Sequence, residues 1–173
     1  GLAANLRLAM TRLDPAWLDA QYNNRARIAD HAQIFERWSN ASALAREQSD
    51  CALDLPYGSG PNETLDVFRT DRPDAPVFVF IHGGYWRAMD KRDVSFTAPA
   101  LADAGALVIA PNYALCSAVT IEQIPLQVVQ ALAWTHRHAR EHGGDPGRIV
   151  VGGHSAGGHL AAMLLNCQWP GVA

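Results

Sequence analysis

Hydrophobic and polar positions follow three regimes along the chain. From Asp14 to Asp50 breakers are few and apolar residues recur at mixed helical spacings, while Asp14-Pro15 supplies an N-cap followed by proline at the first helical position. This stretch predicts one or two helices. Beyond it the pattern turns to strands: CALDLPYG (51–58) and ETLDVFRT (63–70) flank Gly58-Ser59-Gly60-Pro61, and the three pieces predict a hairpin. Three continuous apolar runs follow, PVFVFIHGG (76–84), ALVIAPNY (106–113) and RIVVGG (148–153), which predict buried parallel strands. Between them lie two helical patterns. One runs from Arg92 to Asp103 and closes at Gly105; the other runs from Pro125 to His142 and closes at Gly143-Gly144, with Val128, Val129, Leu132 and Ala133 on one apolar face.

Alternating strands and helices imply crossover units on a parallel sheet with helices on both faces, hence an α/β fold. Residues 1–49 read as a helical leader, and residues 50–173 as one α/β unit without repeats or an interdomain linker. Such a sheet gathers functional groups at the carboxyl ends of its strands, where His82-Gly83-Gly84 and Ser155 both fall.

Composition narrows the function classes. A 173-residue chain with net charge −3 carries no basic surplus for nucleic acid or a membrane surface. No segment reaches the roughly 18 consecutive apolar residues of a membrane span, and the N-terminal residues lack the order of a signal peptide, so the expected location is the cytoplasm. Cys51, Cys116 and Cys167 are widely spaced and read as reduced, packed residues. The seven histidines show no metal-binding spacing, and neither a metal nor any other cofactor is expected.

Gly153-His154-Ser155-Ala156-Gly157 is a G-x-S-x-G sequence between a predicted strand and a predicted helix. A sharp turn there exposes the serine hydroxyl as a nucleophile and leaves the Ala156 amide at the positive end of the helix, ready to donate to an oxyanion. The plain alternative is that Ser155 caps a glycine-rich junction. His82-Gly83-Gly84-Tyr85-Trp86 follows the first apolar run directly, and its glycines let the amides of Gly83 and Gly84 approach a reacting carbonyl. His82 fits stabilisation of this loop through side-chain hydrogen bonds better than the role of general base. Tyr85 and Trp86 either bind substrate in an aromatic pocket or pack against the core strand.

HGGYW, then PNY after the next strand, then DPGRIVVGGHSAGGHLAA, and the hairpin before them resemble the α/β-hydrolase fold in its esterase and lipase branch. The H-G-G-x-W form is most similar to the kynurenine formamidase (arylformamidase) family, whose lid-like leader QYNNRARIADHAQIFERW (21–38) also resembles. The resemblance implies a serine hydrolase of a small acyl compound, deformylating N-formyl-kynurenine to kynurenine and formate in tryptophan breakdown. A short-chain carboxylesterase and a non-catalytic ligand-binding protein on the same fold are the alternatives. The expected partners are a small-molecule acyl substrate and, in a homodimer, a second copy of the chain.

In that fold the acid and histidine follow the nucleophile in the chain. Only 18 residues follow Ser155; His159 sits four positions on in the same predicted helix, poorly placed for a bond to the hydroxyl, and residues 166–173 contain neither acid nor histidine. The sequence is therefore expected to be the N-terminal part of a hydrolase domain, inactive by itself and open along the RIVVGG strand.

Overall fold

The computed structural model describes residues 14–171. Two compact units divide between Arg37 and Trp38. In the leader, three helices form where one or two were expected: α1 (Pro15–Tyr22), α2 (Asn24–Arg27) and α3 (His31–Gln48). Asp14 caps α1 by accepting from the Ala16 amide at 3.2 Å, and Asn23 ends α1 while its side chain caps α2 through the Ala26 amide at 3.1 Å. A residue suited to both ends splits what the apolar spacing alone would join.

From Trp38 onward the chain builds one five-stranded sheet of β1 (Cys51–Pro56), β2 (Thr64–Phe68), β3 (Ala75–Ile81), β4 (Leu107–Pro111) and β5 (Gly144–Gly153), in the order β1-β2-β4-β3-β5. β3 pairs in parallel with β4 and with β5, as the three apolar runs predict, and the β1–β2 hairpin joins antiparallel along β4. The sheet is thus mixed.

Strand alternation sorts the side chains to two faces. Val77, Val79, Ile81, Leu107 and Ile109 share one core with Ile124, Val128 and Ala131 of α5 (Gln123–His138) and Leu160 of α6 (Ala156–Met163). Phe68 and Val108 point the other way, against Ala98 and Leu101 of α4 (Ala98–Asp103). The helix expected over Arg92–Asp103 is regular only in its second half. Asp90 opens a capping box at Lys91, two short 3-10 turns follow, and the α-helix begins at Ala98 with Pro99 in its first turn. Similarly, α5 gives way to a 3-10 turn over Ala139–His142, which stops at Gly143 with φ of +87°.

The third apolar run departs from its expected burial. β5 pairs only with β3 and lies at the edge of the described sheet; Val150 is 58% exposed. No helix among the described residues is long and apolar enough to cross a membrane.

Candidate active site at the carboxyl edge of the sheet

β5 ends at Gly153 and α6 begins at Ala156, so the chain reverses within two residues. Ser155 takes φ of +54° and ψ of −116°, a conformation costly for a residue with a side chain, and is exposed. The flanking glycines are required by contact. A methyl group on Gly153 would lie 2.8 Å from the Gly158 nitrogen, and one on Gly157 would lie 2.5 Å from the His82 carbonyl oxygen and closer still to that of Ile81. The first turn of α6 therefore rests directly on the end of β3. The His154 amide donates to the Ile81 carbonyl at 3.2 Å and fastens the turn to the same strand.

That packing brings the second motif to the first. A methyl group on Gly83 would stand 3.3 Å from the Ser155 Cβ and 2.8 Å from the His154 carbonyl oxygen. Beyond it Gly84, Tyr85 and Trp86 take φ of +108°, +56° and +56°, a left-handed turn closed by the Arg87 and Ala88 amides donating to the Gly84 carbonyl at 3.1 and 2.9 Å. Among the described residues the N–H groups of Gly83, Gly84 and Ala156 donate to no protein acceptor. Unengaged donors thus lie beside the exposed serine at Gly83, directly after it at Ala156 and one residue along the loop at Gly84, groups able to receive negative charge developing on an acyl oxygen.

The other residues of interest have distinct positions. Tyr85 is 73% exposed. Trp86 is half-buried against the main core; its ring meets His159 edge-on at 5.3 Å, its carbonyl accepts the Cys116 amide at 2.8 Å, and its indole N–H is buried without an acceptor among the described residues. His159 makes no hydrogen bond to the Ser155 hydroxyl, which has no side-chain partner among the described residues; only the His159 backbone amide donates to the Ser155 carbonyl, at 3.1 Å. His154 turns its ring edge-on to Trp38, which stacks on Phe96.

His82 is fully buried within the loop's support. Its Nδ1 lies 2.7 Å from the Gly83 carbonyl and its Nε2 lies 3.0 Å from Asn112 Oδ1, while the ring stacks on Tyr113 at 4.2 Å. Burial pulls the His82 pKa below its ordinary value, and the bonds to Gly83 and Asn112 and the charges of Asp90 and Asp93 work in the opposite direction. Asn112, Tyr113, Asp90 and Lys91 escaped the sequence reading as individual residues. Their signal was the polar PNY interrupting the end of an apolar strand, together with the acid-base pair Asp90-Lys91.

Lys91 is buried with its ammonium between Asp54 and Asp66, next to a bulge in β1 where Asp54 takes φ of +56°. Among the described residues no three His, Cys, Asp or Glu side chains gather as a metal site.

The chain has hydrolases among its relatives. The sequence model of a family described as BD-FAE matches residues 65–168. The chain is 33% identical over 127 residues to kynurenine formamidase of Danio rerio, covering 72% of this chain and 42% of that protein. It is 35% identical over 118 residues to esterase LipQ of Mycobacterium tuberculosis, covering 64% of this chain and 28% of that protein. A solved structure of a proposed thioesterase from Silicibacter sp. superposes with a TM-score of 0.76 at 38% identity, over 86% of this chain and 55% of that one. The chain therefore spans less than half the length of the curated relatives named here.

Proposed function

Since the chain belongs to the BD-FAE family and has the α/β-hydrolase fold, we propose that it carries the nucleophile and oxyanion donors of a serine hydrolase acting on a small acyl compound. The observation that carries this reading is the placement of Gly83 against the strained, exposed Ser155, with the amides of Gly83, of the next loop residue Gly84 and of Ala156 unengaged. Ser155 Oγ attacks the substrate carbonyl while a histidine base takes its proton. The tetrahedral oxyanion accepts hydrogen bonds from the three amides; the proton passes to the leaving group as the acyl bond breaks, and water then releases the acid from the acyl-serine. No described histidine reaches Ser155 Oγ, so this reading draws the base and its acid from outside residues 14–171.

The substrate proposed is N-formyl-kynurenine, released as kynurenine and formate, and the names of the formamidase relatives support it. A short-chain carboxylesterase is the second reading, supported by the esterase relatives. In the intact protein containing this chain, an organophosphonate should label Ser155, and Ser155→Ala should abolish labelling and lower turnover on the order of 10⁶-fold. Labelling at another residue sinks the assignment. Hydrolysis rates for N-formyl-kynurenine against acetyl and butyryl esters separate the two substrates: a ten-fold preference for butyryl esters, about 1.4 kcal/mol, rejects the formamidase reading.

A further inference from the structure

The peptide unit is planar, so pinning a carbonyl aims the N–H of the following residue to the opposite side. In the 82–84 loop both relevant carbonyls are pinned. The Tyr113 hydroxyl donates to the His82 carbonyl at 2.8 Å, which sets the plane holding the Gly83 N–H, and lies farther, at 3.3 Å, from the Gly83 carbonyl. The His82 ring holds the Gly83 carbonyl at 2.7 Å, which sets the plane holding the Gly84 N–H. Both supports come from buried side chains: His82 is fully buried and Tyr113 is 1% exposed. Burial also pushes the Tyr113 phenol pKa up, which keeps its hydroxyl a donor.

The ring of His82 is itself held. Asn112 engages all its polar groups: its backbone amide donates to the Thr64 carbonyl at 2.9 Å, its carbonyl accepts the Tyr57 hydroxyl at 2.7 Å, and its side-chain nitrogen donates to Asp90 Oδ2 at 2.7 Å. A carboxylate only accepts, so Asp90 dictates which end of the amide faces it, and Oδ1 is left facing His82 Nε2 at 3.0 Å and the Lys91 amide at 3.4 Å; since this oxygen and the Gly83 carbonyl both only accept, the ring donates to the two together as the imidazolium and to one of them as the neutral imidazole. Asp90 in turn is fixed by the Arg92 amide at 2.9 Å and by its own amide donating to Asp93 at 3.0 Å.

We propose that Tyr113 and Asn112 are positioning residues for the oxyanion amides: Tyr113, through its shorter bond to the His82 carbonyl, chiefly aims that of Gly83, and Asn112, oriented by Asp90, aims that of Gly84 through the His82 ring. This assignment rests on the oxyanion role proposed above for the loop. It differs from a purely structural role because the amides meet the substrate oxygen only when charge develops there, so losing their aim lowers kcat and spares KM.

The test uses the intact protein containing this chain, with p-nitrophenyl acetate as substrate and phenyl trifluoromethyl ketone as a tetrahedral mimic. Tyr113→Phe and Asn112→Leu should each lower kcat about 10- to 100-fold, as a misplacement of about 1 Å does, with KM changed less than about three-fold and the mimic weakened in step. Asp90→Leu should show the same split, and Asp90→Asn should recover most of that loss. Wild-type kcat in folded Tyr113→Phe, or a loss confined to KM, overturns the proposal. If Asn112→Leu does not fold, Tyr113→Phe decides, since it removes one oxygen atom and no packing volume. If wild-type protein is not labelled at Ser155, the hydrolase reading fails separately. The amide chemical shifts of Gly83 and Gly84 then test the pinning without turnover: unchanged shifts in Tyr113→Phe reject it, and a shift at Gly83 larger than at Gly84 supports it.

Discussion

Replacing Gly157 by alanine tests the packing that brings Ser155 to the glycine loop. The added methyl would lie 2.5 Å from the His82 carbonyl oxygen and 2.7 Å from the Ile81 carbonyl carbon, with the Ile81 oxygen nearer still. Ordinary contact needs roughly 3.5 Å, so α6 must retreat from the end of β3 by more than about 1 Å, and no flexible side chain stands in the way to yield instead. Overpacking of this kind costs about 1–3 kcal/mol, and the retreat also parts Ser155 from Gly83. For a domain of this size the midpoint should fall by roughly 2–4 °C per kcal/mol. Turnover should drop about 100-fold because the nucleophile and its oxyanion donors move apart. Gly158→Ala is the internal control: its methyl would meet only the Gly153 carbonyl, at 3.2 Å. A shift of a few tenths of an ångström relieves that contact, and the helical gain of up to about 1 kcal/mol for alanine over glycine offsets it. Thermal melting and the rate of organophosphonate labelling read both variants. A Gly157→Ala protein that melts and is labelled like Gly158→Ala would refute the claim that the helix rests on the strand.

Three further outcomes follow from named contacts. Gly84 sits at φ of +108°, where proline cannot, so Gly84→Pro removes a donor and rebuilds the turn; turnover should fall about 10²- to 10³-fold with less change in substrate affinity, and an unchanged rate would make the loop structural only. Lys91→Met leaves the fully buried carboxylate of Asp66, one of whose oxygens has no partner among the described residues, with only the Asp54 amide as donor; urea unfolding should record a loss of about 3–5 kcal/mol, and adding Asp66→Leu should recover much of it. The Lys91 hydrogen bond holds the Asp54 carboxyl below its usual range, despite partial desolvation. A depressed carboxylate stabilises the fold above its unfolded pKa of about 3.9 and loses that contribution as pH falls through the lower folded value. Asp54→Asn should therefore flatten the acid limb of a stability-against-pH curve below about pH 4, and an identical acid limb in both proteins would contradict the pairing.

Elements with a strong local cause were legible in the chain. The hairpin follows from its Gly58-to-Pro61 turn, and the parallel β3, β4 and β5 follow from apolar runs that end in glycine or proline. Both motifs of the candidate site were legible for the same reason, since glycines at 83, 84, 153 and 157 stand where a methyl group would collide or φ is positive. The supports of the loop were not. Asn112 and Asp90 are 22 positions apart and meet only after β3 and β4 have paired, and nothing in local spacing tells a clamping amide from a solvated one. The early half of the Arg92–Asp103 segment misled the helical reading for a related reason. Its start is set locally by the Asp90–Asp93 capping box, which helical spacing alone does not register, and its course by the burial of Lys91 between two carboxylates, which is tertiary.

β5 shows what an apolar pattern encodes when the surrounding structure does not complete it. The run from Ile149 to Val151 reads as a strand buried on both faces, yet Val150 is largely exposed on one face, and on the other Ile149 and Val151 line an open groove with Leu132, Leu164, Leu165 and Trp169. Leu165 is 87% exposed. A strand edge bordered by this much uncovered hydrocarbon gains free energy from any layer that covers it, because each square ångström withdrawn from water contributes about 25 cal/mol. The pattern therefore specifies the chemistry of the cover, an apolar surface able to pair with a parallel edge, and leaves its source unspecified. The same edge carries Ser155 at its carboxyl end, so whatever covers β5 also borders the nucleophile. In the proposed hydrolase a base would approach an exposed hydroxyl that has Gly83 and the first turn of α6 beside it. A layer covering β5 would therefore also lie beside that hydroxyl, so covering the sheet edge and approaching the serine can involve one surface.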